Sequence, residues 1–183
     1  AVYFYPMPVD LIFIVAIGYA SQLAYKRKLD KKMILPLLYP TASFVFLISL
    51  YSEFGVMVLF WLLIIVAATD TGAYFAGKTF GRTPFCETSP NKTLEGVVGG
   101  MIFAVIMGIF TSINEVGILG AIIVSAIVSL SSVFGDLYES YLKREAGVKD
   151  SGNILPGHGG VLDRVDGYLF GAIVMLVLLR III

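Results

Sequence analysis

Stretches of about twenty consecutive apolar residues recur along this chain, which is the length needed to cross a bilayer core as a helix. The runs are continuous rather than alternating, so they read as helices and not as barrel strands. About six spanning segments of roughly 17–25 residues are expected, near 6–25, 33–52, 54–76, 94–112, 116–136 and 161–183. Charge usage agrees: only 14% of the 183 residues are charged, against about 25% in a typical soluble domain. The fold class expected is all-α, a polytopic helical membrane protein. The first run is too long for a signal-peptide core and carries its basic residues on the wrong side. A single cysteine, Cys86, excludes an internal disulfide and a cysteine-built metal cluster.

The formal net charge of zero hides a strong segregation. The run Lys26-Arg27-Lys28-Leu29-Asp30-Lys31-Lys32 marks one side of the membrane. The connections after the third and fifth spans fall on that same side. They carry Lys78, Arg82 and Lys92, then Lys143, Arg144, Lys149 and Arg164. Of the thirteen Lys and Arg, all but Arg180 therefore lie on one face. The positive-inside rule makes that face cytoplasmic and puts the start of the chain outside. An outside start leads us to expect further spans upstream. The chain divides into N-terminal spanning helices over 1–76 and a catalytic region with two cytoplasmic loops over 77–183. In a bacterial cell this places the protein in the inner (plasma) membrane with its site facing the cytoplasm.

Those two loops are long, polar and rich in Gly and Pro, and long loops in compact proteins are usually functional or disordered. They also hold nearly every group able to do chemistry. Asp136 ends an otherwise apolar span, where an ionisable group is costly and reads as functional. If the helix runs on, Asp136, Ser140, Lys143 and Arg144 share one face, and Gly147 supplies a C-cap. Asp163 and Asp166 lie three apart in the first turn of the last span. A functional role is favoured for both over the bland alternative, the helix dipole, which is worth about 0.3–1 kcal/mol each. Arg164 between them also reads as a snorkelling interfacial residue. Gly157-His158-Gly159-Gly160 precedes that helix with the positive-φ freedom of a phosphate cradle. His158 is the only histidine. Asp70 lies late in the third span, again at a costly depth, beside Thr and Gly neighbours suited to close packing. Ser89-Pro90-Asn91-Lys92-Thr93 opens the fourth span, where Ser89 or Thr93 caps the helix, Glu95 suits its first turn, and Lys92 serves as phosphate partner or anchor. Cys86 has no base beside it and reads as incidental. Carboxylates able to hold Mg²⁺, with cations and backbone N–H groups for phosphates, meet the needs of phosphoryl-type transfer. No GxxxxGK(S/T) loop is present, which rules out a P-loop enzyme.

The order and spacing from Ser140-Tyr141-Leu142-Lys143-Arg144 through Lys149-Asp150-Ser151 to Leu155-Pro156-Gly157-His158-Gly159-Gly160-Val161-Leu162-Asp163-Arg164-Val165-Asp166 resemble the signature of the CDP-diacylglycerol synthase (phosphatidate cytidylyltransferase) family. Ser89-Pro90-Asn91-Lys92-Thr93-x-Glu95-Gly96 and Gly135-Asp136-Leu137-x-Glu139-Ser140 look like its pattern too. The resemblance covers spans three to six, and the first two only in hydropathy. It implies Mg²⁺-dependent transfer of CMP from CTP to phosphatidate, giving CDP-diacylglycerol and pyrophosphate in phospholipid biosynthesis. Carried over, Asp136 and Asp163 become the metal-binding carboxylates, with a second cation as a further expectation. Asp166, Lys143, Arg144, Lys149 and His158 come over as site residues, and Lys92, Ser89, Asn91, Lys149, Arg164 and Asp70 are the cofactor-binding candidates. The partners expected are CTP, phosphatidate, membrane lipid and a second copy of the chain in a homodimer, with no nucleic acid. Two rivals remain. A CTP-dependent polyprenol or lipid-alcohol kinase would use similar charges and release CDP. An ion-coupled transporter would show inverted repeats and midplane charges, and neither is visible here.

Overall fold

The computed structural model describes residues 37–86, 88–152 and 159–183, together with Ile17, Gly18, Ala20 and Ser21. Apart from those four, the expected span at 6–25 lies outside the described residues, as do the basic run at 26–32 and His158. Five helices follow: α1 (Ser43–Phe54), α2 (Val56–Phe80), α3 (Leu94–Thr111), α4 (Gly117–Glu145) and α5 (Leu162–Ile182). Among the described residues there is no strand, only an isolated antiparallel bridge between Pro84 and Thr93. Among the described residues, four helices are long and apolar enough to cross a membrane: α2, α3, α4 with the short turn before it, and α5. The described residues are thus mostly helical, as the all-α class requires, and four of the expected spans are found among them.

The expected span at 33–52 is interrupted within its described part. Pro40 has no N–H to give a helix and disfavours helical geometry in the residue before it. Tyr39 is accordingly extended (φ −143°, ψ 122°), and the regular helix starts only at Ser43. The fifth expected span differs in the other direction. Nothing between Asp136 and Glu145 breaks a helix, so α4 runs nine residues past the expected end. It stops where Gly147 takes φ +69°, with Gly147 N–H donating to the Arg144 carbonyl and Val148 N–H to that of Lys143. That is a Schellman cap, as the sequence indicated.

Small residues set how closely the helices approach. A Cβ on Gly100 would lie 2.5 Å from the Thr69 carbonyl oxygen, and one on Gly99 would lie 2.2 Å from Ala76 Cβ, so α2 and α3 meet backbone to backbone. Thr69 is buried, donates to Ser129 Oγ at 2.8 Å, and ties α2 to α4. In lipid such contacts, rather than hydrophobic burial, hold helices together; an interhelical hydrogen bond contributes about 0.6 kcal/mol. Trp61, Leu62 and Ile65 of α2 pack with Val124 and Val128 of α4 and Met175, Leu176 and Leu179 of α5. Phe60, Leu63, Ile102, Phe110 and Ile118 point outward, as suits an apolar solvent. Antiparallel neighbours bring the C-terminal ends of α2 and α4 together with the N-terminal ends of α3 and α5. At the opposite end Arg180 Nε bonds Glu53 at 2.8 Å, and hydrogen bonding to Arg180 holds that carboxyl below its ordinary range.

Candidate active site

The described parts of the polar loops lie at one end of the bundle. After α2, Phe85 N–H donates to the Lys92 carbonyl and Leu94 N–H to that of Thr83, making a short hairpin. Its tip is a turn, Ser89 C=O accepting from Lys92 N–H, with Pro90 and Asn91 at its corners. Pro suits the first corner of such a turn because its φ is already set. Thr93 caps α3 by accepting from Gly96 N–H at 3.2 Å. The Glu95 carboxylate accepts from the backbone of Arg82 and Thr83 and from the Thr83 hydroxyl, pinning the other hairpin arm. This scaffold directs Lys92 Nζ onto the Asp136 carboxylate in an ion pair.

The pair stands in a cavity of about 390 Å³ between α2, α3 and α4, lined by Asp70, Tyr74, Lys78, Asn91, Lys92, Thr93 and Asp136. Asp70 is exposed at residue level although it lies deep along α2, because it opens into this cavity. Ser89 is half-buried behind the turn, outside the cavity lining.

On the other flank of Asp136 a second acidic group gathers. One carboxylate oxygen each from Asp136, Glu139 and Asp166 lie within 4.8 Å of one another. Gly135 makes this possible: α5 passes so close that a Cβ there would lie 2.7 Å from the Asp166 carbonyl oxygen. Glu139 is 1% exposed. It lies 2.6 Å from Lys143 Nζ, yet neither oxygen is met by a well-directed hydrogen bond. A buried carboxylate so placed costs several kcal/mol unless more positive charge arrives. A divalent ion that keeps several waters fits three carboxylates at this spacing.

Lys143 also donates to Asp163 Oδ1 at 2.8 Å. Asp163 Oδ2 accepts from Ser151 N–H at 2.9 Å, Ser151 Oγ at 2.8 Å and Gly160 N–H at 2.7 Å. Asp163 thus gathers both ends of the loop between α4 and α5, and Lys143 joins it to the acidic trio. Gly159 takes φ +80° beside it, where a Cβ would lie 2.8 Å from Asp163 Oδ2. The positive-φ reading of that glycine holds.

The structure therefore brings Asp136, Asp166, Lys92, Lys143, Asp70 and Asn91 to one end of the bundle. Asp163 stands beside them through Lys143. Arg144, Lys149 and Arg164 are exposed residues of the second loop and its flanking helix ends. Glu139 is the group sequence reasoning passed over, although it lies one helical turn from Asp136. Lys143 and Arg144 consequently separate as experiments. Lys143→Ala removes the cation shared by Glu139 and Asp163, and a lost charge-assisted bond of about 1.5–3 kcal/mol predicts roughly a ten- to hundredfold slower reaction. Arg144→Ala should leave the rate within about twofold, as surface substitutions usually do. Steady-state rates for both variants check this, and equal losses would show that exposure is no guide to function here.

A model described as the cytidylyltransferase family matches residues 5–182. The phosphatidate cytidylyltransferase of Helicobacter pylori strain J99 is 51% identical over 181 residues, which are 98% of this chain and 68% of that protein. The protein of the same name from strain 26695 is 49% identical over 175 residues, 94% of this chain and 66% of the relative. That of Bacillus subtilis is 44% identical over 122 residues, 64% of this chain and 45% of the relative. The chain spans about two thirds of the length of the two Helicobacter relatives.

Proposed function

The chain belongs to the cytidylyltransferase family, and from that premise we propose that it transfers CMP from CTP to phosphatidate, releasing pyrophosphate and forming CDP-diacylglycerol. The observation that carries the reading is the double placement of Asp136, which pairs with Lys92 in the lining of an open cavity and also stands within reach of Glu139 and Asp166. Cations on one side and carboxylates on the other suit a reaction between two anionic substrates. A phosphatidate oxygen attacks the α-phosphorus of CTP, a new P–O bond forms, and the bond to the β-phosphate breaks with pyrophosphate leaving. Lys92, from the hairpin tip, holds phosphate oxygens in place. Lys143 steadies Glu139 and Asp163, and Asp163 in turn holds Ser151 and Gly160. A phosphate monoester is already ionised near neutral pH, so no side chain has to remove a proton from it. Asp136, Glu139 and Asp166 would hold Mg²⁺, which when bound neutralises charge on transferring phosphates. The resemblance-based pairing of Asp136 with Asp163 is retained as the alternative ligand set.

The proposal includes about six spans with the site on the cytoplasmic face, supported by the segregation of Lys and Arg. A homodimer enters on the family resemblance alone. Sealed inverted vesicles containing the protein, given CTP and Mg²⁺ from outside with phosphatidate in the bilayer, should make CDP-diacylglycerol. Release of CDP instead of pyrophosphate would identify a lipid kinase. Product formed only when CTP is inside the vesicles would reverse the orientation.

A further inference from the structure

Tyr39 lies outside the four long helices and far in sequence from every motif above, yet it packs against the aromatic neighbours of the acidic trio, Tyr138 and Phe170. It is 6% exposed, and its hydroxyl has no hydrogen-bond partner. Its ring meets Tyr138 edge-on, with centroids 5.1 Å apart and planes at 83°, and Phe170 at 5.7 Å and 70°. Tyr138 sits between Asp136 and Glu139 on α4, and Phe170 lies one turn beyond Asp166 on α5. The ring is therefore wedged where the two helices present the trio, with its hydroxyl within electrostatic reach of Asp166, Glu139 and Asp136. The extended backbone at Tyr39, imposed by Pro40, turns the side chain into this position instead of along a helix face.

An unpartnered buried hydroxyl costs about 1–3 kcal/mol, and phenylalanine would fill the same aromatic contacts without that cost. What a hydroxyl adds over a phenyl ring is an O–H donor, and the carboxylates that act on it among the described residues are those of Asp166, Glu139 and Asp136. We propose that Tyr39 is a positioning residue of the cation site: its O–H donates to a carboxylate of the Asp136–Glu139–Asp166 trio, or to water on the bound cation, and fixes the trio in its binding geometry. This rests on the metal reading above. Outer partners of metal ligands typically change affinity by about ten- to a hundredfold when removed.

The test is Mn²⁺ binding to the detergent-solubilised protein without substrates, followed by the loss of the free-ion EPR signal. Tyr39→Phe keeps the ring contacts, so it should fold with an unchanged or higher thermal midpoint in the absence of metal. Its Mn²⁺ midpoint should rise about tenfold. Asp166→Asn is the companion variant and should remove binding at this site. A Tyr39→Phe midpoint equal to wild type, with Asp166→Asn still defective, overturns the role of Tyr39 and leaves the trio standing. Wild-type binding by Asp166→Asn overturns the metal reading and this inference together. A lower thermal midpoint for Tyr39→Phe with unchanged Mn²⁺ binding reduces the residue to packing.

Discussion

Asp136→Asn and Asp166→Asn should each lower turnover by on the order of a thousandfold while leaving a folded, and in metal-free buffer a more heat-resistant, protein. The two halves of that expectation share one cause. Three carboxylates within 4.8 Å, one of them on the buried Glu139, repel one another when nothing cationic lies between them. Lys92 and Lys143 offset this only in part. Neutralising one member relieves that repulsion. The thermal midpoint without metal should therefore rise. The same change removes a ligand from the proposed Mg²⁺ site, where charge stabilisation of several kcal/mol is at stake. At 1.36 kcal/mol per factor of ten, about 4 kcal/mol corresponds to the expected loss. Asp163→Asn separates the two roles available to that residue. As the organiser of Ser151 and Gly160 it should cost rate but leave the Mn²⁺ midpoint within about threefold; a lost midpoint would make it a ligand. Near-wild-type turnover by both Asp136→Asn and Asp166→Asn would remove the trio from the reaction.

What the sequence revealed of this site follows the range of the forces involved. Local signals were readable: Thr93 as a cap, Gly147 as a C′ residue and Gly159 as a positive-φ turn each depend on a few neighbouring backbone groups. Asp136 stood out because a charge at the end of an apolar run has no local explanation. Asp163 was ambiguous for a physical reason. It sits in a first turn where an acid suits the dipole, and the structure gives it a related local task, accepting from Gly160 N–H three residues back. Its bonds to Ser151 and Lys143 depend on how a loop closes, which spacing does not state. Glu139 could have been found from its three-residue step after Asp136. Tyr39 could not, because nothing around it in the chain marks it as belonging with residues a hundred positions onward. The break in the second expected span was legible in Pro40, which lacks an N–H and disfavours a helical residue before it.

Gly135→Val should damage the helix packing and the acidic trio together, for a reason opposite to ordinary helix preference. Replacing a mid-helix glycine normally favours the helix, by about 0.8–1 kcal/mol for alanine. At Gly135 the space for any Cβ is already taken. It would lie 2.7 Å from the Asp166 carbonyl oxygen and 3.1 Å from Phe170 Cβ. The first of these is backbone, so no rotamer change relieves it and α5 must move away from α4. Overpacking of this kind costs about 1–3 kcal/mol, and a branched side chain belongs at the upper end. Alanine brings the two effects near balance, whereas valine adds bulk without alanine's helix preference. The displacement falls on the turn that carries Asp166, so it also widens the trio beyond the reach of one ion. Gly135→Val should therefore lower the thermal midpoint in detergent and raise the Mn²⁺ midpoint together, with Gly135→Ala intermediate in both. Added Mn²⁺ should stabilise the wild type more than either variant, since a ligand that binds the native state raises its stability by an amount that grows with the logarithm of its affinity. A Gly135→Val protein as stable as wild type, with unchanged Mn²⁺ binding, would mean that α4 and α5 do not approach this closely and that the trio is not assembled as described.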